Sequence, residues 1–270
     1  MDERYLDLTQ ENLDQEHLCC AIADKKHQQG VDSKKAWLRK QLPLGHVFHK
    51  LDARGKVFIE YTPLQTAMVP IEGDNYLYIH CLWVSGSYKG KGHAARLLNR
   101  CLDEARAQGR AGVCVLSSAK KKPFLSDKKF FMKHGFQVAD KLEGDYELLA
   151  LSLNGSLPCF TDSARRMCID SQDLTIYYSP QCPYIPDCLA QVARGLLTAQ
   201  HPPSPGGRGK RGAGQGAALS LQQLGSVLPG QTADAASAKR HLSGKNAARR
   251  SITALCNIQK PSAGGRKALC

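Results

Sequence analysis

Along the first 155 residues, short β-favouring runs alternate with stretches whose apolar positions recur at helical spacing. Thr9 is placed to cap a helix through about Asp24, with Leu13, Leu18 and Ala21 among its apolar positions. A second, short helix is expected after Ser33, through Lys34, Lys35, Ala36, Trp37 and Leu38. Runs 46–51 and 56–61 flank a turn containing Ala53, Arg54 and Gly55, the pattern of a β-hairpin. From Tyr76 to Val84 nearly every residue is apolar or β-favouring, which predicts a strand buried on both faces. After a glycine-rich turn, Ala94, Leu97, Leu98, Cys101, Leu102 and Ala105 recur at helical spacing and predict an amphipathic helix. Residues 112–117 read as another buried strand. Ser126 opens a short helix ending near Gly135, and strands return from Phe136 through Leu153.

Further on, residues 174–178 have a strand pattern and 179–183 a loop composition, and a helix is expected from Asp187 to Ala193. Past Gly195 the periodicity stops. The last 70 residues hold eleven Lys and Arg, one acid (Asp234), eleven Gly and five Pro, and no Phe, Trp or Tyr. Such a segment buries too little apolar area to offset the entropy of ordering it, so it is expected to be a disordered basic tail. Its abrupt onset is what a shift of reading frame near Gly195 would produce.

Composition changes the picture only once the charge is divided. Of the net +13, the tail carries +10, so the first 200 residues are nearly balanced. With 42% hydrophobic residues in 270, the chain can bury a real core and is not disordered throughout. No apolar run approaches the roughly 20 residues a membrane-spanning helix needs. The polar start, Met1-Asp2-Glu3-Arg4, does not read as a signal peptide, and eleven cysteines without one point to reduced thiols in a cytoplasm. Scattered basic residues without interleaved aromatics argue against a nucleic-acid partner.

The stretch richest in chemistry is the strand to Val84, then Ser85-Gly86-Ser87-Tyr88-Lys89-Gly90-Lys91-Gly92-His93-Ala94, then the amphipathic helix. Gly90 and Gly92 let the backbone approach a ligand and adopt angles closed to other residues. The helix start offers free N–H groups and the positive end of its dipole, which favour phosphate oxygens. Lys89 and Lys91 add charge at the same end. An ordinary tight strand-to-helix turn would read the same way by composition alone.

Taken with the second strand and the short helix running into Lys133-His134-Gly135-Phe136, this loop resembles the GNAT acetyltransferase superfamily. The family's acetyl-CoA motif, Gln/Arg-x-x-Gly-x-Gly/Ala, falls here on Lys89, Gly90, Lys91, Gly92, His93 and Ala94. The resemblance covers about residues 1–155 and implies an α/β (α+β) fold, a twisted mixed sheet flanked by helices. In it, strands 76–84 and 112–117 splay around acetyl-CoA as co-substrate. It further implies that Leu82, Trp83 and Val84 offer backbone groups to the pantetheine arm, that residues 89–94 take the pyrophosphate, and that the Val84 N–H stabilises the oxyanion. Two departures stand out. Lys89 replaces Gln or Arg and loses bidentate geometry. Phe131 stands where many members carry a Tyr that protonates the departing thiolate, which leaves a non-catalytic acyl-CoA-binding or sensing module as the alternative to an enzyme.

Cys19-Cys20, Lys35-Ala36-Trp37-Leu38, Phe58-Ile59-Glu60-Tyr61 and Ile79-His80-Cys81-Leu82-Trp83-Val84 are similar to a bacterial subgroup in which a YoaP-type, thioredoxin-like domain follows. The division this implies is an acetyltransferase domain at 1–155, a linker at 156–172, a partial thioredoxin-like unit at 173–195 and the tail at 196–270. The expected reaction is acetyl transfer from acetyl-CoA to a primary amine, on a small molecule or a peptide, by direct attack. Glu60 and His80 are the candidate bases, each with a bland reading beside it: a solvent-facing strand residue and a hydrogen-bonded core histidine. Lys120-Lys121-Lys122 either reaches a phosphate or is a solvated turn. Cys182, before Pro183 at a helix start, is a redox-active thiol of lowered pKa or an inert one. Cys81, Cys101 and Cys114 read as core residues, and no metal site is inferred.

Overall fold

A computed structural model of the protein describes residues 3–21, 27–122, 124–166, 176 and 178–200, the side chains of Cys19 and 195–200 apart. The strand expected at 174–178, apart from Ile176 and Tyr178, and the tail from 201 onward lie outside the described residues. The strands are β1 (Tyr5–Asp7), β2 (Val47–Leu51), β3 (Val57–Pro63), β4 (Ile71–Glu72), β5 (Tyr76–Val84), β6 (Gly112–Ser118), β7 (Gln137–Lys141), β8 (Tyr146–Ser152) and β9 (Cys159–Phe160). The helices are α1 (Gln28–Gln41), α2 (His93–Ala107), α3 (Lys128–Lys133), α4 (Asp162–Arg166) and α5 (Ile185–Gln200). Seven strands form one mixed sheet in the order β1-β2-β3-β5-β6-β8-β7, and β4 pairs with β9. Only β5 and β6 run parallel in it, joined by α2.

Strand alternation sorts the core onto two faces. Val57, Ile59 and Tyr61 of β3 and Leu77 and Ile79 of β5 pack with Leu97, Leu98, Cys101 and Leu102 of α2 and with Phe131 of α3. On the opposite face Phe58, Phe48, Leu38 of α1, Leu13, Leu18 and Cys20 form a second cluster. Tyr76, Tyr78 and Cys114 join a third, with Leu64, Phe160 and Ala164.

Three expectations for the first 84 residues are corrected. In place of one helix from Thr9 to Asp24, residues 10–15 form turns and a 3₁₀ turn spans Cys19–Ala21. Asn12 is the reason: its carboxamide accepts from the Thr9 N–H at 2.8 Å and donates to the Asp7 carbonyl at 2.9 Å, satisfying the backbone without a helix. Leu13, Leu18 and Ala21 are nevertheless buried. The next helix, α1, does not start at Ser33 but five residues earlier, at Gln28, because its buried stripe of Gly30, Lys34 and Leu38 is held by distant partners. The last correction concerns Tyr76–Val84. Its first four residues are buried and the last five only half-buried, since the neighbouring strand leaves it there.

Elsewhere α2, β6, the hairpin β2–β3 and β7–β8 lie where the pattern places them, and Asp127 rather than Ser126 caps α3. The helix expected at 187–193 is longer, so the boundary drawn at 195/196 falls inside α5. Six described cysteines are free thiols, whereas Cys188 is disulfide-bonded, against the expectation of reduced thiols throughout.

Candidate active site

Pairing between β5 and β6 runs from Tyr76↔Gly112 to Ile79↔Val115 and stops there. Beyond it β5 keeps β3 as far as Val57↔Val84, and β6 keeps β8 as far as Ser118↔Tyr146, so the sheet opens between its two central strands. At the same point Glu60 pairs with Cys81 but Tyr61 with Ile79, which makes His80 an extra residue, a β-bulge. The Ser85 N–H donates to the Lys56 carbonyl at 3.0 Å, so Lys56 and Ser85 are a hydrogen-bonded antiparallel pair. The backbone groups of Val84 and Leu82 therefore face away from β3, into the opening, while those of Trp83 face β3. Of the three residues expected to offer backbone groups, two are so turned.

Directly after β5 comes the glycine loop. Gly86, Gly90 and Gly92 have φ of +64°, +77° and +83°, and a Cβ built on any of them meets no atom within 4 Å. Gly92 is the N-cap of α2 and supplies no side chain, so the N–H groups of the first helical turn point outward unsatisfied. Lys89 and Lys91 are exposed beside them. This arrangement fits a diphosphate: an open cradle, oriented N–H donors and two cations. His93 takes no part through its ring, which is turned into the fold. Tyr5 Oη lies 2.6 Å from its Nδ1 and Glu3 Oε1 3.4 Å from its Nε2. Ala94 is half-buried.

On the α1 side of the opening sits a buried polar cluster. Glu60 is neither solvent-facing nor free. Its carboxylate accepts from Lys34 Nζ at 2.7 Å, His46 Nε2 at 3.0 Å and Gln181 Nε2 at 2.8 Å, and it has no exposed surface. Burial alone would raise the Glu60 pKa; the Lys34 ammonium and the His46 N–H outweigh it and bring it down to about 2. Burial would likewise lower the Lys34 pKa, but the Cys20 and Glu60 groups reverse this and hold it above the ordinary lysine value.

His80 contrasts with Glu60. Its ring lies 5.3 Å from that of His46, 5.0 Å from Tyr78 and 6.4 Å from Trp37. Both ring nitrogens are buried, and neither has a hydrogen-bond partner among the described residues. Burial, with His46 beside it, brings the imidazole down to about 3, so it is neutral at pH 7 and can accept a hydrogen bond or a proton. A satisfied core histidine it is not.

The remaining candidates are structural. Phe131 is buried, edge-on to Phe130 and Phe136. Lys120 and Lys121 are exposed and face Asp145 and Asp127, and Lys122 lies over the Tyr146 ring. Burial pushes the Cys182 thiol up to about 12, opposite to the lowered pKa a redox-active thiol requires. Among the described residues no group of His, Cys, Asp and Glu is arranged to hold a metal, and no helix is long and apolar enough to cross a membrane. Lys34, His46 and Gln181 were not read from the sequence as site residues. A signal existed for Lys34, a cation on the apolar stripe of a helix; none existed for Gln181.

Residues 11–136 match the family model described as the acetyltransferase (GNAT) family. Over 182 residues the chain is 43% identical to the uncharacterized N-acetyltransferase YoaP of Bacillus subtilis (strain 168), covering 67% of this chain and 72% of that protein. Among solved structures, it is similar to an N-acetyltransferase from Staphylococcus aureus Mu50, at 19% identity over 57% of this chain and 99% of that one, with a TM-score of 0.41. It is also similar to the PaiA N-acetyltransferase of Thermoplasma acidophilum in complex with coenzyme A, at 18% identity, 56% and 99% coverage and a TM-score of 0.39. The chain is thus an acyltransferase and belongs to the GNAT acetyltransferase family.

Proposed function

We propose that the protein transfers an acetyl group from acetyl-CoA to a primary amine by direct attack, with the cofactor entering on the α2 face and the amine on the α1 face. The observation that carries this reading is the parting of β5 from β6 at Ile79 and Val115, which joins the bare N-terminus of α2 to the polar cluster across the sheet. Residues 89–94 would hold the pyrophosphate, through the backbone N–H groups at the start of α2 and the Lys89 and Lys91 ammonium groups. Leu82 and Val84 would bond the pantetheine arm by their backbone, with the Val84 N–H aimed at the acetyl carbonyl oxygen. Acetyl-CoA supplies an activated acyl carbon and a thiolate leaving group. Holding both reactants in an attack geometry is worth roughly 7–11 kcal/mol, more than the 10²–10⁴-fold (about 3–5 kcal/mol) of one base.

His80, not Glu60, receives the amine proton in this reading, directly or through water. Glu60 is committed to three donors, whereas both His80 nitrogens are free of partners among the described residues. A weakly basic imidazole suffices, because the attacking nitrogen becomes acidic once its bond to carbon forms. Phe131 has no hydroxyl to give, so solvent protonates the departing thiolate. Free thiols at Cys20, Cys81, Cys101, Cys114, Cys159 and Cys182 favour a cytoplasmic setting, and the Cys188 disulfide counts against it.

Calorimetry with acetyl-CoA, followed by free-thiol release over a panel of amines (a polyamine, free amino acids, a peptide), tests the proposal. Binding with amine-dependent thiol release is expected. No heat at millimolar acetyl-CoA would overturn it, and binding without release to any amine would leave the sensing module. With an active amine in hand, His80→Ala is expected to lower kcat at least about 100-fold. An unchanged kcat would remove His80 from the chemistry.

A further inference from the structure

We infer that the loop at residues 179–184 completes the acceptor side of the acetyltransferase and that Gln181 is a positioning residue for it; the inference rests on the reading of His80 given above. Gln181 stands 121 residues from Glu60 in the chain, well beyond the stretch 11–136 that matches the family model, yet it donates one of the three hydrogen bonds that Glu60 receives.

The loop and the first turn of α5 are seated by contacts of four different kinds. A methyl group on Gly30 would run into the Pro183 carbonyl, so α1 and the loop touch backbone to backbone, and only glycine permits it. Tyr184 Oη donates to the Cys20 carbonyl at 3.2 Å. His27 Nδ1 lies 2.6 Å from Asp187 Oδ2, and the His27 ring meets Tyr184 edge-on at 4.5 Å. Within the loop, Ser179 Oγ accepts from the Gln181 N–H at 3.2 Å and the Cys182 carbonyl from the Ile185 N–H at 3.2 Å, which fixes the turn that aims Gln181 inward.

What Gln181 adds is direction rather than charge. Lys34 already neutralises Glu60, and a neutral carboxamide contributes little further electrostatic support. A buried carboxylate held by Lys34 and Gln181 on one oxygen, however, has its plane fixed, so its other oxygen points at His46 Nε2. That bond orients the His46 ring, which stands 5.3 Å from His80 at the bulge. The chain of contacts from Gln181 through Glu60 and His46 ends on the imidazole assigned to the proton. In this respect the segment beyond the family match is a wall of the active site.

Three variants of the full chain, assayed with acetyl-CoA and the most active amine of the panel, test the inference. Gln181→Met keeps the length and volume of the side chain and removes the donor. Its kcat is expected to fall about tenfold or more, the effect of losing one hydrogen bond to a charged group, while acetyl-CoA affinity by calorimetry stays within about twofold. Gly30→Ala pushes the loop off α1 without touching any polar group. It is expected to lower kcat similarly and to speed alkylation of Cys182 by iodoacetamide, which mass spectrometry reads; Gln181→Met should leave that alkylation at the parental rate. His80→Ala runs in parallel. If His80→Ala loses activity while Gln181→Met keeps the parental kcat, the positioning role is wrong and the reading of His80 stands. If His80→Ala itself keeps the parental kcat, the base assignment and this inference fall together. A Gln181→Met chain that loses acetyl-CoA affinity along with kcat would show a collapsed fold rather than a mispositioned imidazole, and would also overturn the inference.

Discussion

Replacing Gly92 separates two properties that the glycine loop combines. With φ of +83° and no atom within 4 Å of a built Cβ, Gly92→Ala meets no steric obstacle. Its cost is the left-handed backbone alone, about 1–2 kcal/mol in a residue with a side chain. Gly92→Glu carries the same strain but also brings a carboxylate to the start of α2, where the helix N-terminus favours it by about 0.3–1 kcal/mol. The glutamate variant should therefore melt no lower than the alanine variant. Binding should order the other way. The carboxylate competes for the N–H groups assigned to the phosphate, and losing one charge-assisted contact costs about 1.5–3 kcal/mol, or about 10- to 150-fold in affinity. The alanine variant, which keeps the donors, should lose less than about tenfold. Calorimetry with acetyl-CoA beside thermal melts of all three proteins reads both orders. A folded Gly92→Glu protein that binds acetyl-CoA with parental affinity would refute the placement of the diphosphate at this loop.

Two further outcomes concern the buried ion pair. Lys34→Met should destabilise the protein by about 3–5 kcal/mol in urea unfolding, because the buried Glu60 carboxylate loses its lysine partner; adding Glu60→Gln should recover part of the loss. The Glu60 pKa of about 2, below the 4.5 of a free glutamate, means that the unfolded chain binds more protons as the pH falls. The stability it contributes, of order 3 kcal/mol, is fully present above pH about 4.5 and disappears as the pH drops towards 2. Urea midpoints measured between pH 6 and 3 should show a steeper decline in the parent than in Glu60→Gln; equal slopes would contradict the assignment.

Local patterns carried the loop and the elements around it. Tyr76–Val84, α2 and β6 appear within two residues of where periodicity places them, because each buries a face its own sequence declares. The segment from Thr9 to Asp24 shows the opposite case: its apolar positions are buried as a helix would bury them, but Asn12 bonds its own neighbourhood and holds a turn. The start of α1 was hidden because Gly30 and Lys34 make sense only against Pro183 and Glu60, 153 and 26 positions away. The polar cluster is assembled from residues 34, 46, 60, 80 and 181, and no spacing rule connects them. Glu60 and His80 were visible as candidates by residue type; which of the two is saturated and which is unpartnered is a property of the packed molecule.

The parting of β5 from β6 also bears on the protein without ligand. A sheet that opens in its middle presents an internal edge, with the Leu82 and Val84 amides and carbonyls lacking a strand to pair with. Edges of this kind invite another chain to add itself. A pantetheine arm lying along β5 would act as a short surrogate strand, closing that edge with two amide groups of its own. Bound acetyl-CoA would then guard the enzyme against self-association, and colloidal behaviour, as much as turnover, would depend on how much of it is present.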